Sequence, residues 1–284
     1  MGSICIFTDS SVQFSQPAFE GRGLVHIINL STTLTSSRTE DSPVLRSIDL
    51  PASLGQNLVP RLNTPSVEDF KALFLEAADN YSQILGVFLS NQLSDCFANA
   101  QAAAEALRGR CPIQIVDSQT IAIGLGMIVQ SAAEKIQKGS SLVDVDRHIR
   151  SLIPRIYTVI CTPNLTYLWR AGIIDRAQAA IGEMTSILPI FAIEEGRLTP
   201  LEKVRNHRQV LDFYIEYLDE FENLLHIAHL QNVVGPHQEG RLIKEHCSEV
   251  FPGSPFTEHP LNLPTATLFG PTACGMVVVD VEER

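Results

Sequence analysis

The sequence predicts an α/β protein of two domains. The first is an N-terminal parallel-sheet α/β/α sandwich carrying a small irregular insert, and the second is a C-terminal two-layer α+β domain with a mixed sheet. Three observations carry this expectation. Short apolar runs alternate with amphipathic stretches through the first half, a pattern that calls for parallel strands covered on both sides by helices. The pattern changes near Arg155, beyond which a hairpin and successive strands replace strict alternation. The length of 284 residues, 45% of them hydrophobic, suffices for two cores at ~150 residues per domain. The boundaries fall at 1–155, with the insert at about 31–64, and at 156–284.

The elements follow in order. Ser3 to Phe7 is a strand ending in Thr8-Asp9-Ser10-Ser11, a turn rich in helix-capping residues. Gly23 to Leu30 is a second β-rich run. Residues 31–64 are rich in Ser, Thr, Pro and Asn and lack strong periodicity, which predicts an irregular excursion with a small hairpin, packed on the first domain. A capping box at Ser66 to Asp69 then opens a helix, with Val67, Phe70, Leu73, Phe74, Ala77 and Tyr81 at helical spacing.

Ile84 to Leu89 is long enough for a strand buried on both faces. It breaks into the polar turn Ser90-Asn91-Gln92-Leu93-Ser94-Asp95 and continues as an Ala-rich helix. Free N–H groups and the positive dipole end of that helix suit an anionic ligand group. Capping of the helix by Ser94 or Asp95 accounts for the same residues. Ile113 to Val116 is a further strand, ending in Asp117-Ser118. Gly124 and Gly126 lie in the following long helix, where they fit close packing and not a dinucleotide loop, which needs a third glycine in the first turn after a strand. Gly139 ends this helix. Ser140 or Ser141 opens the next, with Leu142, Val145, Ile149 and Leu152 on one face.

In the second half, Tyr157 to Cys161 is a strand and Leu165 to Arg170 a helix. Ala177 to Leu188 reads as a helix apolar nearly all round. Pro189 to Ile193 and the residues from Arg197 form a hairpin about Glu194-Glu195-Gly196. A helix at about Asn206–Glu222, a strand from Leu224 to Leu230, a helix from Pro236 to Cys247 and a last strand from Met276 to Val281 complete the chain.

The net charge of -11 argues against nucleic acid or an anionic membrane surface as the main partner. No apolar run reaches the ~18 residues of a membrane span. The opening MGSICIFTDSS has no basic region and no cleavage pattern, and the myristoylation pattern wants Ser or Thr where Ile6 stands, so the chain is expected in the cytoplasm. The six cysteines are scattered without a C-x-x-C and read as reduced, mostly buried thiols. His226 and His229 are three apart on a strand and so point to opposite faces, which disfavours a metal pair; His237 and His246 read as residues of an exposed helix. Ser94 lacks the G-x-S-x-G elbow or identifiable base of a nucleophile. No metal and no catalytic residue is expected.

Several stretches together resemble motifs of the DegV family of bacterial lipid-binding proteins. Ser90 to Cys96 resembles its S-S-x-L-S-G-T, and Leu62-Asn63-Thr64-Pro65-Ser66 its T-S-Q-P-S. Asn164 to Leu168 resembles D-L-x-Y-L, Lys203-Val204-Arg205 is K-V-R, and Gly270 to Gly275 resembles G-P-G-A-L-G. The resemblance spans nearly the whole chain. It implies non-enzymatic binding of a long-chain fatty acid, with the tail in the second domain, the carboxyl group at the domain interface, and a fatty-acid kinase as a possible partner. It places the head group near Leu62, Asn63, Thr64, Ser90, Asn91, Ser94, Asp95, Arg205, Leu268 and Phe269.

The sequence also departs from that family. The head-group Thr is replaced by Leu62, a His before the glycine motif by Leu268, and an Arg of G-G-R-I by Ile173, while Asp95 stands where the family has Gly. These changes imply a divergent member, taking a lipid with a neutral or differently shaped head. The competing readings are an interaction scaffold whose ligand site is lost, and an enzyme on a small substrate.

Overall fold

The computed structural model describes residues 3–36, 39–55, 57–185, 187–231 and 238–281. The chain divides into two compact units: Met1–Ser31 with Asn63–Pro154, and Thr32–Leu62 with Arg155–Arg284.

Strand β1 (Ile4–Asp9) is buried along its whole length and pairs in parallel with β2 (Val25–Ile28). The chain then leaves the first unit. Strands β3 (Ser31–Ser36), β4 (Thr39–Val44) and β5 (Leu58–Asn63) form a three-stranded sheet in the order β4-β3-β5. The excursion thus belongs with residues 155–284 and not with the first domain. Polar contacts explain this placement. Thr32 Oγ1 meets Thr267 Oγ1 at 2.8 Å, Tyr167 donates its hydroxyl to the Pro51 carbonyl at 2.7 Å, and Asn164 Nδ2 donates to Ala52 at 2.5 Å.

Back in the first unit, α1 (Val67–Ala78) starts on the expected capping box, in which Ser66 Oγ accepts from Asp69 N and Asp69 accepts from Ser66 N. Strand β6 (Gln83–Phe88), α2 (Cys96–Ala106), β7 (Ile113–Asp117), α3 (Ala122–Gln137) and α4 (Leu142–Leu152) follow. The sheet has the order β2-β1-β6-β7 and every pair is parallel. The reason for Gly126 is close approach: a Cβ there would lie 1.7 Å from the Gln13 carbonyl oxygen. In α4 the buried face is Leu142, Val145, Ile149 and Leu152, and Ser141 caps it by accepting from Asp144 N.

In the second unit, β8 (Ile156–Cys161), α5 (Leu165–Arg170), α6 (Arg176–Met184), β9 (Leu188–Glu194), β10 (Arg197–Val204), α7 (His207–Leu218), β11 (Leu224–Gln231), α8 (Gln238–Val250), β12 (Phe256–Pro260), α9 (Leu263–Phe269) and β13 (Cys274–Asp280) succeed one another. The six-stranded sheet runs β10-β9-β8-β13-β11-β12, antiparallel except for β11 with β12. The β9–β10 turn places Glu195 and Gly196 at φ 49° and 82°, the two-residue geometry that matches strand twist. Helices α7 and α8 cover one face, where Val210, Tyr214, Leu218, Ile243 and Cys247 share a core with Val159, Ile227, Met276 and Val278.

Two local expectations change. Helix α6 ends at Met184 and buries only Ala179 and Gly182, while Ile181 and Met184 are exposed. Ile181 and Met184 therefore face away from the interior, which only the Ala179 and Gly182 side of the helix meets. By contrast Leu261 and the run from Pro264 to Phe269 are buried. Strand β12 appears where no strand was expected. The expected start of α8 at Pro236, and His237, lie outside the described residues.

Candidate functional site

In the first unit the sheet winds in opposite directions from β1, toward β2 on one side and β6 on the other. That reversal leaves a crevice at the carboxyl ends of β1 and β6, the usual ligand position in open parallel sheets. Asp9 ends β1 there, fully buried. Its Oδ1 accepts from Ser11 N at 2.9 Å and its Oδ2 from Leu89 N at 2.8 Å. Desolvation pushes the Asp9 carboxyl above its ordinary range, and the N–H donors pull the other way.

The loop after β6 is held from a second direction. Ser90 is fully buried and donates its N–H to the Thr120 carbonyl at 2.9 Å. Its own carbonyl accepts from Leu93 N and Ser94 N, and its Oγ from Gln92 N. Asn91, exposed, donates its N–H to Asp117 Oδ1 at 3.3 Å, and the same oxygen takes Gln119 N at 2.9 Å. Burial raises the Asp117 carboxyl as well.

Ser94 is half-buried and its Oγ accepts from Cys96 N at 3.2 Å. It therefore performs part of the capping. Asp95, exposed, makes no side-chain cap. The next two N–H groups of α2, on Phe97 and Ala98, have no partner among the described residues. They stand at the positive end of the helix dipole.

Asn63 and Thr64 line a groove of about 460 Å³ with Asn29, Ser31, Pro65 and Asp69. Asn99 ties this loop to the Ser94 turn: its Nδ2 donates to the Pro65 carbonyl at 2.9 Å and its N–H to the Asp95 carbonyl at 2.9 Å. The first unit thus brings Asn63, Thr64, Ser90, Asn91, Ser94 and Asp95 into one connected corner. Asp9, Asp117 and Asn99 support that corner and were not among the expected site residues. A carboxylate closing each of two parallel strands, β1 and β7, was the available signal for the first two.

In the second unit, Leu62 is half-buried near the end of β5. Leu268 and Phe269 end α9 with 3% and 0% exposure. Gly270, at φ 87°, terminates that helix. Ile173 is half-buried after α5. Arg205 is exposed between β10 and α7, and Lys203 at the end of β10 and Arg208 at the start of α7 are exposed too. His226 and His229 face opposite sides of the sheet: His226 Nε2 meets Thr257 Oγ1 at 2.9 Å, whereas His229 lies with its ring 6.4 Å from that of Tyr214. His246 pairs with Asp219 at 2.8 Å. Among the described residues no cluster of His, Cys, Asp or Glu could hold a metal, and no helix is long and apolar enough to cross a membrane.

Fold and corner together define a two-unit α/β protein with a polar strand-end site at a helix N-terminus. The chain belongs to the DegV family, described as uncharacterised proteins, whose sequence profile matches residues 3–281. A DegV domain-containing protein of Caldanaerobacter subterraneus is 24% identical over 218 residues, 77% of each chain. One from Streptococcus pyogenes is 31% identical over 156 residues, 54% of each. Among solved structures, the fatty-acid-binding DegV protein SAG1342 of Streptococcus agalactiae superposes with TM-score 0.81 at 20% identity, covering 99% of this chain and 100% of its own. The Streptococcus pneumoniae fatty acid kinase B3 protein, loaded with linoleic acid, gives 0.77 at 17% identity, with 99% and 100% covered.

Proposed function

We propose that this protein binds a long-chain fatty acid or related lipid, without catalysis of its own. The second unit is the proposed holder of the tail, and within the first unit the Ser94 corner is the proposed polar site. The observation that carries this reading is the pair of unpartnered N–H groups beside Ser94 at the α2 N-terminus, in a chain whose fold matches the fatty-acid-binding SAG1342 and the linoleic-acid-loaded B3 protein. Burying an acyl tail gains ~0.8 kcal/mol per methylene, or ~12 kcal/mol gross for a palmitate-sized chain. Association and ordering return much of that.

The aliphatic Leu62 and Leu268 remove hydrogen bonds worth only ~1–3 kcal/mol each, so tail burial still dominates. Exposed Asp95 disfavours an anion near the corner. Both points favour a neutral or differently shaped head over a free carboxylate. A fatty-acid kinase is the corresponding partner only for a ligand that keeps a free carboxylate, the group such an enzyme phosphorylates, and the proposed location is the cytoplasm.

The test is mass spectrometry of lipid extracted from the protein purified without added fatty acid. A stoichiometric acyl species is the expected result. An empty protein that also takes up no added fatty acid would favour the scaffold reading.

A further inference from the structure

His229 lies on β11 at 3% exposure, on the face that carries Ile227 and Met276 and packs under α7. Its Nδ1 is buried and has no hydrogen-bond partner. The neighbours do not supply one. The Tyr214 ring sits 6.4 Å away, and its hydroxyl is engaged with the Cys274 carbonyl at 3.0 Å. Met276 stands opposite on β13. Glu258, beside it on β12, accepts from Gln231 Nε2 at 3.4 Å. Burial also keeps the imidazole neutral, pushing it down to about 4. A neutral ring with an open nitrogen therefore remains inside the core, where an unmet polar atom is costly. A leucine or phenylalanine at that position would avoid the cost.

We infer that His229 is a specificity-determining residue that selects an acyl chain bearing an in-chain oxygen, a hydroxyl or oxo group, over the plain chain. The inference rests on the reading that an acyl tail lies in the second unit. A hydroxyl offers both a donor and an acceptor, so it satisfies either tautomer of the ring, while a saturated methylene leaves the nitrogen unmet. Hydrogen bonding of the bound oxygen is then the difference between the two ligands. Such discrimination by a buried polar group exceeds what added apolar contact gives.

The test is calorimetric titration of the delipidated full-length protein with stearic acid and with a panel of its mid-chain hydroxy and oxo isomers. At least one isomer is expected to bind about fivefold or more tightly than stearic acid, the equivalent of one neutral hydrogen bond. His229→Leu should abolish that preference with stearic acid binding retained, and His229→Gln should keep part of it. Stearic acid binding with no preference for any isomer would overturn the inference alone and point to a buried water on Nδ1. A preference that survives in His229→Leu would do the same. Failure of every acid to bind would remove the lipid reading as well.

Discussion

Asp9 at the end of β1 accepts the Leu89 N–H at 2.8 Å, joining the first strand to the loop that carries Ser94. Eighty residues separate the two in sequence. Asp9 also holds Ser11 N at 2.9 Å. One buried carboxylate thus fixes two of the loops that surround the crevice.

Replacing Asp9 with Ala leaves two buried N–H groups without acceptors. Each costs ~1–3 kcal/mol, so the unfolding free energy should fall by about 2–4 kcal/mol in urea titration. Asp9→Asn should fall between, since its amide oxygen can serve only one side of the pair while its NH2 opposes the other donor. A loss under about 0.5 kcal/mol, the range of ordinary surface changes, would contradict the geometry.

The imidazoles of the second unit give the stability a defined pH dependence. His226 and His229 are both lowered to about 4 from an ordinary 6.5, chiefly by burial. The folded state therefore resists protonation that the unfolded chain accepts. Their contribution is fully present above pH 6.5 and is lost as pH falls toward 4, worth at most ~3 kcal/mol for each group. His229→Leu should flatten the decline between pH 6.5 and 4.5 in denaturant titrations. An unchanged slope would show that His229 is not buried in its neutral form.

Close packing at Gly126 is testable without any ligand. A Cβ there would lie 1.7 Å from the Gln13 oxygen, and Gln13 N in turn donates to the Ala122 carbonyl at 3.1 Å. Both contacting atoms are backbone, so neither can swing aside as a side chain would. Gly126→Ala should destabilise by about 1–3 kcal/mol, the usual cost of overpacking. Gly109→Ala, where nothing lies within 4 Å but φ is 89°, should cost less, about 1 kcal/mol from backbone strain alone.

What the sequence made legible follows from how local each cause is. The face of α4 could be read because Leu142, Val145, Ile149 and Leu152 repeat at one period and all are buried. Strand β6 was marked by an unbroken apolar run. Strand β12 escaped notice because Phe256-Thr257-Glu258-His259-Pro260 is short, polar and at the sheet edge. Helix α6 looked interior from Ala, Ile and Met alone, and composition cannot report which side is covered. The excursion at 31–64 was set on the first domain because the Thr32–Thr267 contact joins residues 235 apart. The Ser94 turn was legible as polar residues before a helix. Its supports were not, since Asp9, Asp117 and Asn99 act on it through backbone atoms that carry no sequence signature.

The aliphatic replacements define a gain-of-function test. If Leu62 and Leu268 stand where head-group partners are lost, Leu62→Thr with Leu268→His should raise affinity for a free fatty acid by about thirtyfold or more, from two recovered hydrogen bonds of at least ~1 kcal/mol each. Leu268 is only 3% exposed, so a histidine there is stable only with a partner, and the double variant should gain thermal stability on adding palmitate. Calorimetric titration reads the affinity directly, and no change in the double variant would count against the placement of the head group.

Ser94→Ala separates the two roles of the remaining hydroxyl. As a cap on Cys96 N at 3.2 Å, its loss should cost ~0.5–2 kcal/mol of stability with no ligand present. As a contact to the lipid's polar end, its loss should weaken binding by a further factor of about five, near 1 kcal/mol. Ser94→Thr keeps the oxygen and should restore the cap, and it should restore binding only if the added methyl fits the corner. The decisive comparison is between the unliganded melting temperature and the dissociation constant across the two variants. A role confined to capping moves the first and leaves the second unchanged, whereas a head-group contact moves both in Ser94→Ala.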